Sequence, residues 1–192
     1  MESLSDLLNK AVSDRDHNGC VQIYHTLFHD KREKFIALLE INFNNDNHVD
    51  VDAKTYTTLH AWRDFFPNGN IIGIDKDPCA IFQDERIQTY LCDSCKSDDI
   101  SSLLKDIDGF KFDIIIDNGC KNDTSQIKSL RNLYQHLNDG GIYIIQNVAS
   151  KLIECPGLID CLCNHDPYFF TGLKHHMCVI YKNYIKSKRV LY

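Results

Sequence analysis

The sequence predicts an α/β fold whose central sheet is doubly wound and mostly parallel. The first observation is an alternation of short apolar runs with segments of helical periodicity, from Phe35 to Val148. The second is that the runs are apolar on both faces, as in parallel strands covered by crossover helices. The third is that acids or amides follow the runs, most clearly in KFDIIIDNGC at residues 111–120. Ligands of such sheets bind at the carboxyl ends of the strands, so these polar residues are the candidates for function.

The first part of the chain is predicted to form a helical cap. Residues 3–12 and about 19–30 have helical periodicity, with leucines on one face of the first segment. A chain of 192 residues is long enough to bury one complete core. We therefore predict a single domain, with an N-terminal helical cap at residues 1–33 and a Rossmann-like core at residues 34–192.

The first half of the core is predicted to hold three strands and one helix. The helix, at residues 55–66, has apolar residues at i, i+3 and i+7 and ends before Pro67-Asn68-Gly69. The strands are residues 35–41, residues 71–74 with Asp75 at their end, and residues 87–91 ending near Asp93.

The second half is predicted to continue this alternation. A helix near residues 98–105 precedes the strand into Asp117. The next helix begins with an Asp123-x-x-Gln126 box and ends before Gly140. A strand at residues 142–145 runs into Gln146, and a short helix is predicted around residues 150–162. Two β-rich runs, 168–171 and 177–181, are close in sequence and are predicted to pair antiparallel at one edge of the sheet.

Composition narrows the class of protein. The net charge of −6 disfavours a nucleic-acid binder, which would present a basic face. The N-terminus lacks the pattern of a signal peptide, and no apolar run is long enough to cross a bilayer. Nine cysteines without a secretory signal indicate free intracellular thiols, so we expect a cytoplasmic protein that acts without a membrane.

Asp75 is the most informative candidate residue. An acid at the end of the second strand of a nucleotide-binding βαβ unit can accept hydrogen bonds from ribose hydroxyls. The alternative is a helix N-cap without a ligand, formed by Asp75 or Asp77. The turn after the first strand, from Asn42, contains no glycine. Asparagine tolerates the left-handed region, but its side chain would crowd a ligand that needs bare backbone.

A zinc site and a nicotinamide dehydrogenase both fit the sequence poorly. Cys92-x-x-Cys95 could form half of a zinc site, with Cys161, Cys163 and His165 as the other half, but zinc sites usually pair two tight knuckles. A nicotinamide dehydrogenase would need a G-x-G-x-x-G turn, which the chain lacks.

Several segments, in the same order, resemble one known family. Residues 38–42 (LLEIN) are similar to its L-L-E-I-G strand, and residues 72–75 (IGID) to the last four positions of its I-x-G-x-D strand. Residues 112–121 (FDIIIDNGCK) stand for F-D-I-I-I-D-D-G-S-H, and residues 137–147 (LNDGGIYIIQN) for L-x-P-G-G-x-Y-V-I-E-D. The chain resembles the class I S-adenosylmethionine-dependent methyltransferases of the macrocin and mycinamicin O-methyltransferase type, close to the cephalosporin-hydroxylase-like group.

This resemblance implies S-adenosylmethionine as cofactor and assigns roles to residues. The candidate catalytic residues are Asp117 and Lys121. The candidate cofactor-binding residues are Glu40, Asn42, Asp75, Asp93 and Asp117.

The chain departs from the family where the family binds a divalent metal. Asn118, Gln146 and Asn147 replace carboxylates, and Cys120-Lys121 stands where Ser-His is usual. A hard dication prefers charged oxygen ligands, so we expect no divalent metal.

Two functions remain open from the sequence. One is a methyltransferase-like protein that acts on a small-molecule or sugar substrate. The alternative is a catalytically inactive cofactor-binding or protein-interaction module on the same scaffold. A homo-oligomer is compatible with either function.

Overall fold

The structure is a computed structural model that describes residues 2–11, 18–44, 56–119, 122–148, 167–171 and 176–183. Within these ranges the chain forms one sheet flanked by helices on both faces. The helices are α1 (Leu4–Ala11), α2 (Asn18–Phe28), α3 (Thr58–Phe65), α4 (Ser97–Asp106) and α5 (Asp123–Leu133). The strands are β1 (Ala37–Ile41), β2 (Asn70–Asp75), β3 (Gln83–Asp84), β4 (Ile87–Leu91), β5 (Phe112–Asp117), β6 (Leu137–Ile145), β7 (Tyr168–Thr171) and β8 (His176–Tyr181).

The sheet confirms the predicted fold class. Its described strands lie in the order β3-β4-β2-β1-β5-β6-β8-β7. Strands β4, β2, β1, β5 and β6 are parallel to their neighbours in this series. The pairs β6–β8 and β7–β8 are antiparallel, as predicted for the C-terminal edge. A mostly parallel sheet with helices on both faces is the doubly wound arrangement.

Each face of the sheet has its own apolar core. On one face, Leu38, Ile71 and Ile114 pack with side chains of α1, α2 and α3. On the other face, Leu39 and Ile115 pack with side chains of α4 and α5. Successive side chains of a strand point to opposite faces, so both faces of the parallel strands need apolar residues. This explains the uninterrupted apolar runs in the sequence.

The register of the parallel strands brings their carboxyl ends to one edge. Ile41 pairs with Ile74 on one side and with Asp117 on the other. Asp75 pairs with Leu91, and Asp117 pairs with Ile145. The polar residues that follow these strands are therefore neighbours.

Several predicted boundaries differ from the structure: β1 begins at Ala37 and not at residue 35, α3 at Thr58 and not at residue 55, and β6 at Leu137 and not at residue 142. Strand β4 has the predicted range, Ile87–Leu91, and Asp93 lies two residues beyond its end, in the following loop. The N-cap of α5 is Asn122, whose side chain accepts a hydrogen bond from the Ser125 N–H at 2.9 Å. Gly140 does not end α5, because it lies inside β6 with φ of 78°. Its N–H donates to the carbonyl of Lys182 at 2.8 Å, so pairing beyond β8 extends the strand.

The structure differs from the prediction in one short strand. The short strand β3 was not predicted; it pairs antiparallel with β4. The helix predicted at residues 150–162 lies outside the described residues. No helix in the described ranges is long and apolar enough to cross a membrane.

Candidate functional site

A cleft lies at the carboxyl edge of the parallel strands. It holds about 380 Å³ of empty space, part of it open to solvent. Its walls come from the ends of β1, β2 and β5, the loop after β4 and the first turns of α5. The lining residues with polar side chains include Asn42, Asp75, Asp93, Ser94, Asp117, Ser125, Gln126 and Ser129. Four of the five candidate cofactor-binding residues therefore meet in one cleft.

Asp75 is a buried carboxylate in the wall of this cleft. Its side chain accepts hydrogen bonds from the Asp77 N–H at 3.0 Å and from the Asn44 N–H at 3.4 Å. Burial raises its pKa above the usual value. The next turn is capped by Asp77, which accepts from the Cys79 N–H at 3.0 Å. Asp75 therefore does not serve as that cap, and its backbone contacts fix the carboxylate at the end of β2.

Asn42 adopts the left-handed backbone conformation that the sequence allowed. Its φ is 58°, and its N–H donates to the Ile74 carbonyl at 2.8 Å. Its side-chain amide donates to the backbone carbonyl of Asn118 at 3.3 Å. Asparagine can thus replace glycine in this turn, although its side chain remains in the lining of the cleft.

Asp117 is held between a backbone donor and a hydroxyl donor. One carboxylate oxygen accepts from the Gly119 N–H at 3.0 Å, and the other accepts from the Tyr143 hydroxyl at 3.2 Å. Burial raises its pKa to about 6, although both hydrogen bonds act in the opposite direction. A Cβ at position 119 would lie 2.8 Å from Oδ1 of Asp117, so the close approach of this loop requires a glycine.

Asp93 lies in the loop after β4 and is more exposed than Asp117. Its Oδ1 accepts from the Cys95 N–H at 3.0 Å, and Lys96 Nζ lies 3.7 Å from its Oδ2. Its own N–H donates to Asp99 at 3.0 Å, which fixes the loop against the start of α4. The carboxylate of Asp93 is therefore placed in the cleft by its own loop.

Glu40 is not among the residues that line the cleft. Strand alternation places it on the same face as Leu38, against α3. One of its oxygens accepts from the Thr58 hydroxyl at 2.8 Å and from Trp62 Nε1 at 3.0 Å. Burial raises its pKa to about 7. The described contacts of Glu40 thus join β1 to α3.

The second candidate catalytic residue, Lys121, lies outside the described residues, as does Cys120. The contacts given above for Asp117 therefore do not include Lys121. The role of Lys121 stays a prediction from the sequence.

The residues at the position of the family's metal do not fit a hard dication. The side chain of Asn147 donates to Asn118 Oδ1 at 3.3 Å, so the two amides bond to each other. The Gln146 amide donates to the hydroxyl of Tyr24, which is fully buried. Within the described ranges, no group of three or more His, Cys, Asp or Glu could hold a metal ion. Neutral amides that already bond to one another are poor ligands for magnesium.

The cysteine motif does not assemble a zinc site among the described residues. Cys92 is buried, and burial raises its pKa to about 12, whereas zinc binds the thiolate. Cys161, Cys163 and His165 lie outside the described residues.

Sequence reasoning missed the wall that α5 contributes. Ser125, Gln126 and Ser129 line the cleft, and the hydroxyls of Ser129 and of Ser94, in the loop after β4, are 2.7 Å apart. The available signal was a pair of serines at i and i+4, beside the apolar stripe of Leu130 and Leu133. In the sequence, Gln126 was interpreted as part of a capping box, and Ser129 was not identified as a site residue.

No family model matches the chain. Curated relatives do match. One is the 8-demethyl-8-(2-methoxy-alpha-L-rhamnosyl)-tetracenomycin-C 3'-O-methyltransferase of Streptomyces olivaceus, 28% identical over 137 residues. Another is the mycinamicin VI 2''-O-methyltransferase of Micromonospora griseorubida, 27% identical over 125 residues. These alignments cover 70% and 65% of this chain but 33% and 30% of the relatives. The chain thus spans about a third of the length of these relatives.

Solved structures share the fold. The MycE methyltransferase from the mycinamycin biosynthetic pathway, in complex with Mg and SAH, has a TM-score of 0.74 and 20% sequence identity. That match covers 95% of this chain and 55% of the MycE chain. Human methyltransferase-like protein 13 in complex with SAH has a TM-score of 0.58 and 15% identity, and the match covers 81% of this chain and 75% of that one. The fold is that of class I methyltransferases.

Proposed function

We propose that this chain binds S-adenosylmethionine and methylates a sugar hydroxyl of a small-molecule substrate. Two findings support this: the chain has the class I methyltransferase fold, and its curated relatives include macrocin- and mycinamicin-type O-methyltransferases. We further propose that it works in the cytoplasm.

One observation carries the proposal. Asp75 and Asp117, from the ends of β2 and β5, and Asp93, from the loop after β4, all line one cleft at the carboxyl edge of the sheet. Buried and half-buried acids are costly to desolvate without hydrogen-bond donors. A nucleoside with hydroxyl and amino donors and a sulfonium cation supplies such donors and a positive charge.

The backbone contacts of the cleft suggest how the cofactor lies in it. Asp75 at the end of β2 is placed to accept from the ribose hydroxyls. Asn42, in its left-handed turn, supports the approach of the cofactor to the end of β1. Asp117 is the carboxylate at the end of β5 and faces the reacting end of the cofactor in this arrangement. Glu40 contributes by fixing β1 to α3 beneath the turn.

The reaction itself needs little besides alignment. The acceptor oxygen forms a bond to the methyl carbon, the carbon–sulfur bond breaks, and its electron pair stays on the sulfur of S-adenosylhomocysteine. The hydroxyl proton must leave, and in this arrangement the carboxylate of Asp117 accepts a hydrogen bond from the hydroxyl. With a pKa of about 6, Asp117 is mostly ionised at neutral pH and can take this role.

The amides that replace the family's metal ligands affect substrate binding. Because Asn118 and Asn147 are neutral, the sugar would be positioned by hydrogen bonds and not by a dication. Alignment of nucleophile and methyl group supplies much of the rate in such displacements. The chain can thus retain transfer with a weaker activation of the hydroxyl.

A turnover assay tests this function. The full chain is incubated with methyl-labelled S-adenosylmethionine and a set of desmethyl glycosides, which includes mycinamicin VI and demethylmacrocin. We expect transfer to at least one sugar hydroxyl, and a rate reduced roughly 10²-fold or more in Asp117→Asn. The interaction-module alternative predicts cofactor binding without transfer to any acceptor. It is supported by the Asn118–Asn147 amide pair, and equal background rates in both proteins would favour it.

A further inference from the structure

Gln126 carries a polar atom that the described structure does not satisfy. The side chain is 2% exposed and lines the cleft. Its Nε2 donates to the backbone carbonyl of Gln146 at 3.2 Å, whereas its Oε1 has no hydrogen-bond partner among the described residues. A buried acceptor without a donor is destabilising, and native structures rarely keep one without a reason.

The orientation of this amide is fixed by its other end. A flip would place Oε1 against the Gln146 carbonyl, and two acceptors would then face each other. The unsatisfied atom is therefore an acceptor, and the group that satisfies it must be a donor.

The surroundings of Gln126 define which donor fits. On the α5 wall, the Ser129 hydroxyl is already paired with Ser94, and Ser125 offers its carbonyl to the Cys95 thiol at 3.7 Å. The carboxylates lie on the strand side of the cleft and in the loop after β4. Because α5 presents a neutral amide here, a neutral amino group suits this wall better than an ammonium group.

Apolar side chains shape the same cleft for a flat ligand. Ile41 and Ile74, from the ends of adjacent strands, are buried and line it together with Cys92. Apolar wall residues together with oriented polar groups are typical of pockets for small molecules and cofactors. In the proposed cofactor, the exocyclic amine of adenine is a neutral amino group on a flat ring.

We propose that Gln126 Oε1 accepts a hydrogen bond from the exocyclic amino group of the cofactor's adenine, and that this contact makes the cleft selective for adenine over 6-oxopurines. The inference rests on the proposed cofactor and adds the residue that selects its base. A 6-oxopurine presents a carbonyl at this position, so it would leave Gln126 unsatisfied and repel it.

Calorimetric titrations with two ligands test the inference. S-adenosylhomocysteine and S-inosylhomocysteine differ in the group that Gln126 would contact. We expect the unmodified chain to bind the adenosine ligand at least about tenfold more tightly. In Gln126→Met the affinity for S-adenosylhomocysteine should fall about tenfold and the preference should disappear. Gln135→Met, the same change at an exposed residue outside the cleft, should keep the preference.

The outcomes separate the inference from the proposed function. If the unmodified chain binds both ligands equally well, the inference is overturned while cofactor binding stands, whether or not Gln126→Met folds. The inference is also overturned if folded Gln126→Met still prefers S-adenosylhomocysteine over S-inosylhomocysteine. It is overturned likewise if this preference disappears in Asp93→Asn, because Asp93 would then select the base. If the unmodified chain binds neither ligand, the proposed cofactor is itself wrong.

Discussion

Replacing Glu40 by glutamine should stabilise the protein at alkaline pH and have a much smaller effect at acidic pH. Glu40 is buried, with a pKa raised from 4.5 to about 7 by burial. Glutamine keeps an oxygen that can accept from Thr58 and Trp62, as the carboxylate does. The substitution therefore removes the ionisation of a buried group while it preserves the acceptor.

The sign follows from the two pKa values. Because the folded pKa exceeds the unfolded one, the folded protein binds more protons between pH 4.5 and about 7, and stability falls as the pH rises through this window. A shift of this size corresponds to about 3 kcal/mol in total, with most of the loss occurring between pH 5 and pH 8. The free energy of unfolding of Glu40→Gln, relative to the unmodified chain, should therefore rise by about 2–3 kcal/mol between these two pH values.

Urea unfolding followed by far-ultraviolet circular dichroism at pH 5 and pH 8 measures this difference. Asp75 and Asp117 also have raised pKa values, but both are present in each protein and their effects cancel. Glu85→Gln, at an exposed position, is the matched control and should show no such change. If Glu40→Gln has the same relative stability at both pH values, the raised pKa of Glu40 is refuted.

Three further predictions address the site. The triple variant Asn118→Asp, Gln146→Glu, Asn147→Asp adds three carboxylates beside Asp117. In calorimetry it should bind Mn²⁺ at least about tenfold more tightly than the unmodified chain does. Equal heats in the two proteins would show that these positions do not form a metal site. Asn42→Gly should bind S-adenosylhomocysteine several-fold more tightly, because glycine accepts φ of 58° without a side chain in the cleft. Asn183→Gly, at φ of 51° and outside the cleft, is its control, and a lower affinity in Asn42→Gly would contradict the crowding argument. Lys121→Ala should reduce methyl transfer by roughly 10²-fold with unchanged cofactor affinity, and an unchanged rate would leave Lys121 as a solvated charge.

The sequence predicted the sheet because its signal is local and repeated. Apolar runs with acids at their ends mark buried parallel strands, and Asp75 and Asp117 were located at strand ends for that reason. The direction of Glu40 was also readable, because alternation places it on the face of Leu38. The resemblance assigned Glu40 to the cofactor, which stays a prediction; in the structure the side chain of Glu40 accepts hydrogen bonds from Thr58 and Trp62 of α3.

Features that depend on long-range pairing could not be predicted from local pattern. Gly140 has the sequence context of a helix end, but its bond to Lys182 places it in a strand. The role of Gln126 depends on the Gln146 carbonyl, twenty residues away along the chain. Contacts between residues far apart in the chain cannot be predicted from local sequence. The wall of the cleft that α5 forms was missed for this reason.

One titration measures whether Asp75 and its neighbours bind the nucleoside of S-adenosylmethionine. Calorimetry with S-adenosylhomocysteine compares the unmodified chain with Asp75→Ala. We predict saturable binding by the unmodified chain and a loss of about 1.5–3 kcal/mol, tenfold or more, in the variant. Equal affinities in the two proteins, or no binding by either, would contradict the account.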